Sequence, residues 1–290
     1  MTTALVLTLL LSVAIGLSLG LLGGGGSILT VPILTYVAGL DPKEAIAASL
    51  FVVGVTSAVS VVSHARNGRV KWRTGLVFGA AGMAGAFAGG LAGGHIPGTV
   101  LMVAFALMMV ATAVAMIRGR RSGKGAAHQA HDAELPVGKV VVEGVVVGLV
   151  TGLVGAGGGF LVVPALALLG GLPMPVAVGT SLVVIAMKSF AGLGGYLTSV
   201  SLDWGLVAAV TAAAVVGSLL GSRLAGRIPE AALRKGFGIF VLAMGVFVLA
   251  QELPAPAGLI VGASAAVLGA AALACRFLVP SCPLRPAPAG

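Results

Sequence analysis

The sequence predicts an all-α integral membrane protein built from two inverted-topology repeats. Each repeat would hold a glycine-tipped helical hairpin plus about three spanning helices, and one extra C-terminal helix would follow. Three observations carry this expectation. Of the 290 residues 58% are hydrophobic and only 9% are charged, with a mean hydropathy of +1.14. A soluble domain carries about 25% charged residues, so this chain cannot cover itself for water. The chain also repeats itself at an offset of 132 residues, with 16 identities in the 35 positions of 16–50 against 148–182 and no gap. Finally, the loops rich in Lys and Arg exchange places between the two halves. Strict two-residue alternation over roughly ten-residue segments, the mark of a membrane barrel, is missing.

Apolar stretches in the first half run over 4–22, 27–40, 45–63, 74–94 and 98–117. A polar linker, Arg118 to Lys139, separates them from 140–154, 159–172, 176–198, 206–226 and 232–250. An unpaired stretch at 257–279 ends the series. The organisation read from this is repeat 1 over 1–117, linker over 118–139, repeat 2 over 140–250, and an extra helix and tail over 251–290. A spanning helix needs about 20 apolar residues. The stretches beside the glycine-rich breaks are shorter on at least one arm, which fits a hairpin that enters the membrane and turns back. The first stretch lacks a basic n-region and runs straight into glycines, so it reads as structure and not as a cleaved signal.

Orientation follows from the basic residues, which hold loops on the cytoplasmic side. Arg66, Arg69, Lys71 and Arg73 mark the loop His64–Arg73, and Arg118, Arg120, Arg121, Lys124 and Lys139 mark the linker. The repeat-2 counterpart of the first loop, Ser199–Trp204, has Asp203 and no basic residue. The counterpart of the short turn His95–Gly98 carries Arg223, Arg227, Arg234 and Lys235. An inverted repeat predicts this exchange, with an external N-terminus and a cytoplasmic C-terminus. The formal net charge of +9 is then a topology signal, with no nucleic-acid partner implied.

The glycine breaks are the first candidate site. Gly23, Gly24, Gly25, Gly26 and Ser27 precede one short apolar segment, and Gly155, Gly157, Gly158 and Gly159 precede the equivalent one. Glycine lets a ligand approach the backbone closely. A half-helix starting there turns unpaired N–H groups and partial positive charge toward the tip, which suits an anion. A duplicated break in a membrane chain points to a transporter site between repeats. The bland alternative is that the glycines only permit tight hairpin packing. A dinucleotide-binding fingerprint is excluded, because Ile28 and Phe160 stand where its third glycine belongs and no alternation of strand and helix surrounds it.

Lys188 is the second candidate. It falls mid-helix with no carboxylate in its segment, and its repeat equivalent is Thr56. A lysine at membrane depth is costly and is a functional hypothesis by default. Around it lie Thr180, Ser181 and Ser189, and in repeat 1 Ser49, Thr56 and Ser57. Ser49 and Ser181 are equivalent and are read as possible ligand contacts. Membrane-helix hydroxyls also bond back to the preceding turn, so that role stays open. Gly85-x-x-x-Gly89 and Gly217-x-x-x-Gly221 are assigned to close helix packing, and Trp72 and Trp204 to interfacial anchoring. His64 and His95 are expected in loops. Cys275 and Cys282 do not correspond between repeats, which argues against a thiol-redox function. No catalytic residue, metal site or cofactor is indicated.

The doubled Gly-Leu-x-Gly-x-Gly-Gly-[Ser/Gly]-x-Leu-x-Val-Pro pattern, with the segments around Ser49-Leu50 and Gly179-Thr180-Ser181-Leu182, resembles the TauE/SafE family of sulfite and organosulfonate exporters. The resemblance covers about residues 5–250. It implies a secondary transporter exporting a small sulfur-containing oxyanion across the inner membrane by alternating access. It also implies a substrate region at Gly23–Ser27, Ser49, Gly155–Gly159 and Ser181. An anion channel or a permease for another small anion is the alternative. An intramembrane serine protease would need a histidine at membrane depth within reach of Ser27 or Ser181. The topology makes one prediction. A cysteine placed at Arg69 or Arg121 is labelled only from the cytoplasm and one at Asp203 only from outside; labelling of Arg69 and Asp203 from one side contradicts the inversion.

Overall fold

The computed structural model describes residues 2–22, 27–118, 137–155, 162–163, 166, 172–224, 230–254, 256–260 and 263–264. Among the described residues the chain is all helical. The helices are α1 (Thr2–Leu22), α2 (Ser27–Tyr36), α3 (Pro42–Arg66), α4 (Trp72–His95), α5 (Gly98–Arg118), α6 (Val137–Val154), α7 (Met174–Tyr196), α8 (Trp204–Leu224) and α9 (Glu230–Glu252). Of these, α3, α4, α7 and α8 are long and apolar enough to cross a membrane. With 10 residues, α2 extends about 15 Å, half the hydrocarbon thickness. The expected linker between 119 and 136, the tip glycines Gly23–Gly26 and Gly157–Gly159, and both cysteines lie outside the described residues.

Helix boundaries follow local chemistry. Asp41 and Pro42 open α3, where a proline at the first position loses no helical hydrogen bond. Gly68, with φ +67°, lets the chain turn after it. At α8 the Asp203 carboxylate accepts the N–H of Gly205 at 2.9 Å and of Leu206 at 3.2 Å, which satisfies two otherwise orphaned donors. Trp72 and Trp204 occupy the first positions of α4 and α8 and are 52% and 50% exposed.

Three expectations are corrected here. His64 is not in a loop; it is buried in the last turns of α3. His95 is the last residue of α4, with its Nδ1 2.8 Å from the Leu91 carbonyl oxygen. Lys139 belongs to the first turn of α6 and not to the linker. The physical reason is common to all three. Apolar runs locate the part of a helix inside hydrocarbon, while the backbone hydrogen-bond ladder continues into flanking polar residues.

Packing pairs each repeat with the other. Helix α4 of repeat 1 lies on α6 of repeat 2, and α8 of repeat 2 lies on α1 of repeat 1. At both seams the backbones touch. A Cβ on Gly85 or Gly89 would run into the backbone of Val145 or Leu149, and one on Gly217 or Gly221 into that of Val13 or Leu17. From the other side, Gly148 and Gly152 meet Gly82 and Ala86, while Gly16 and Gly20 meet Ala214 and Ser218. Every one of these contacts maps onto its counterpart at the 132-residue offset. Small residues let helices approach this closely and gain dispersion along their length.

The middle of the molecule is formed by α3 and α7, which are themselves repeat equivalents and pack on each other. Leu50 meets Gly192, Gly54 meets the Phe190 ring, and His64 meets Gly179. Residue numbers rise on one helix as they fall on the other, so the equivalent helices run in opposite directions. A large buried cluster from α2, α3, α5, α8 and α9 packs on one side, with Val154, Leu193 and Tyr196 at its edge. Val162, Leu166, Phe78, Ala177 and Val184 form a smaller one.

The seams yield a stability prediction. Gly85→Leu and Gly217→Leu force backbones apart and are each expected to destabilise by about 1–3 kcal/mol. Gly138→Leu, where a Cβ meets nothing within 4 Å, is expected to leave thermal unfolding in detergent unchanged. Equal melting temperatures for all three variants would remove the close-packing role.

Candidate functional site

The glycine break of repeat 2 is described at its first residue. Gly155 has φ +73°, a conformation that L side chains rarely adopt, and a Cβ there would strike Ile46 of α3. Its carbonyl oxygen accepts a 2.6 Å hydrogen bond from the Ser49 hydroxyl. The same oxygen of Ser49 lies 2.8 Å from the Ile46 carbonyl. Ser49 has one proton, so both acceptors compete for it and its donor capacity is taken up within the protein. Ser49 therefore pins the tip of the opposite repeat. The Gly155 N–H is bonded at 3.0 Å to the Thr151 carbonyl, which closes α6.

The six hydroxyls flagged from sequence separate into two groups. Thr56 donates to the Val52 carbonyl at 2.5 Å, and Ser181 to the Val178 carbonyl at 2.7 Å. Thr180 accepts the N–H of Lys71 at 3.0 Å, fastening the basic loop to the start of α7. Ser57 and Ser189 are fully buried, and neither hydroxyl has a partner. A buried hydroxyl without a partner costs about 1–3 kcal/mol, and here two such groups occur at equivalent positions. Sequence reasoning noted this pair without selecting it. The 132-residue offset marks Ser49/Ser181 and Ser57/Ser189 equally, and only hydrogen-bond geometry separates them.

Lys188 is 1% exposed, and its Nζ has no hydrogen-bond partner. A Cβ on Gly82 of α4 would lie 3.9 Å from the Cβ and Cδ of Lys188, so the lysine stem runs along this glycine. Two turns earlier on α7 stands Ser181. Leu19, near the end of α1 and just before the first glycine break, joins Val53, Leu182 and Ile185 in one buried cluster. The foot of the first hairpin thus lies within a turn of Lys188 along α7. Ser27 opens α2, so the N–H groups of its first turn, which have no partner within the helix, are directed toward the preceding residues.

Among the described residues no histidine is hydrogen-bonded to a serine. Both ring nitrogens of buried His64 lack a hydrogen-bond partner. Among the described residues no group of three His, Cys, Asp or Glu is placed to hold a metal ion.

The sequence profile of the sulfite exporter TauE/SafE family matches residues 8–248. The chain belongs to that family. Within it, a Xylella fastidiosa (strain Temecula1) protein named "Probable membrane transporter protein" is 34% identical over 238 residues, covering 81% of this chain and 91% of its own. A Methanocaldococcus jannaschii protein carrying the same description is 30% identical over 264 residues, 84% of this chain and 96% of its own. No solved structure matches the chain. Membership of the TauE/SafE family, with the apolar helices, makes this a multi-pass membrane protein of a transporter family.

The Ser49 contact carries a prediction. Ser49→Ala leaves the buried Gly155 carbonyl without its donor and is expected to lower stability by about 1–3 kcal/mol, while Ser49→Thr retains the bond. Thermal unfolding of the two variants checks this, and equal stability of Ser49→Ala and wild type would contradict it.

Proposed function

We propose that this TauE/SafE protein is a secondary transporter that carries a small sulfur-containing oxyanion, sulfite or a related sulfonate, out across the inner membrane by alternating access. The observation that supports it most directly is a lysine without a partner, fully buried between helices, beside a duplicated glycine break. Lys188 requires compensation at that depth, and an anion supplies it. The N-terminus of α2, which follows the first glycine break, carries partial positive charge as well. Gly23–Ser27, Gly155–Gly159 and Lys188 are the proposed contacts, with Ser49 and Ser181 shaping the tips from the facing helices. In this reading α3 and α7, running oppositely, relate two repeats inverted across the membrane. The N-terminus would lie outside and the C-terminus in the cytoplasm.

Energetics fit export. An inside-negative potential drives an anion outward by about 2.3 kcal/mol per charge per 100 mV, and the sequence has no Gly-x4-Gly-Lys-[Ser/Thr] nucleotide-binding pattern. The test is counterflow in proteoliposomes with sulfite, sulfate, thiosulfate and a sulfonate. The expected result is saturable sulfite uptake, accelerated by sulfite preloaded on the other side. Flux that rises linearly with concentration and shows no acceleration would instead identify a channel.

A further inference from the structure

Resting on that reading, we propose that Ser57 and Ser189, with Lys188, form one oxyanion-binding locus at the point where the equivalent helices α3 and α7 cross. The contacts Leu50 to Gly192, Gly54 to Phe190 and His64 to Gly179 fix the register of this antiparallel pair. In that register Thr56 falls level with Lys188, its own repeat equivalent. Only at an internal two-fold axis do equivalent residues of antiparallel helices lie level. Ser57 and Ser189 each follow by one residue, about 1.5 Å of rise, and so flank the axis from opposite sides.

Both serines are on the facing surfaces. Leu50, Gly54, Ser57, Val61 and His64 recur at steps of three and four along α3, and Gly179, Leu182, Ile185, Ser189 and Gly192 do so along α7. Such steps define one helix face. Thr30 and Thr35 of α2 also lack hydroxyl partners, but several buried hydroxyls on α3, α6 and α8 are satisfied locally. Thr56, Ser60, Thr151 and Thr211 all donate to the carbonyl one turn earlier. Ser57 and Ser189 do not, so their donors remain available at the crossing. At the level of the crossing the two repeats differ. Thr56 is committed to Val52, whereas Lys188 is uncommitted.

The locus therefore offers one hydroxyl from each repeat and one ammonium from repeat 2. Three donors, one on each side of the axis and one at its level, match in number the three-oxygen face shared by sulfite and organosulfonates. The same geometry makes the lysine transferable. Moving it to position 56 puts the charge on the other side of the axis, at the same level. The residue equivalent to Gly82 is Ala214, and a Cβ at Gly82 stands 3.9 Å from the lysine stem, which is ordinary contact. By the repeat, a lysine at position 56 would run along Ala214 as Lys188 runs along Gly82.

The experiment measures sulfite affinity from concentration-dependent thermal stabilisation of the full chain in detergent. Ser57→Ala and Ser189→Ala are each expected to weaken it about five-fold, the effect of one neutral hydrogen bond. Lys188→Thr is expected to weaken it about ten- to a hundredfold. The exchange Thr56→Lys with Lys188→Thr is expected to bring affinity back to within about tenfold of wild type, which a merely structural lysine would not do. Thr211→Val, whose hydroxyl is bonded within α8, is expected to leave affinity unchanged. Wild-type sulfite affinity in both serine variants overturns the locus and leaves the transport reading standing. A wild-type protein that binds neither sulfite, methanesulfonate nor thiosulfate overturns the transport reading itself, and the locus with it.

Discussion

The close approach of backbones at two seams, α4 on α6 and α1 on α8, governs the rest of this structure. In hydrocarbon, apolar side chains gain nothing by leaving lipid for protein, so helices hold together through packing. Glycine and alanine at matched positions let these pairs come to backbone contact. Since α1 and α6 are the first arms of the hairpins, each hairpin is held by a helix of the other repeat. Irregular backbone at membrane depth survives only when protein buries it or a cavity receives it.

The same exchange explains the Ser49 bond. The break after α6 is pinned by α3, a helix of the opposite repeat, through the Gly155 carbonyl. A hydroxyl that looks like a ligand contact in the sequence is thereby a fastening between repeats. Lys188, by contrast, remains without a protein partner. Fastening and availability are divided between neighbouring turns of the same two helices.

Much of the architecture was legible in the sequence because duplication reports on geometry. A gapless offset reveals equivalent helices, and the exchange of basic loops points to their opposed directions before any contact is known. The packing role of Gly85, Gly89, Gly217 and Gly221 was also readable, since small residues at a spacing of four have few other uses in lipid. Their partners were not, because a Gly-x-x-x-Gly face does not state what approaches it. Helix ends at His64, His95 and Lys139 were misplaced, since hydropathy follows the solvent and not the hydrogen-bond ladder. Among the hydroxyls, identical repetition marked Ser49/Ser181 and Ser57/Ser189 alike. Which of them bonds to the protein depends on distances of a few tenths of an ångström that no pattern encodes.

The arm exchange bears on how such a chain arises and folds. A Cβ on Gly16 or Gly20 would strike the backbone of α8, and one on Gly148 or Gly152 the backbone of α4. Each half thus places the first arm of its glycine break against a helix of the other. A half-length ancestor with this sequence pattern would have had to meet a second copy of itself with the equivalent helix running in the opposite direction. Fusion of the two then removed a concentration dependence from assembly. It also freed one copy to place a lysine where the other keeps a threonine, an asymmetry that a pair of identical chains cannot hold.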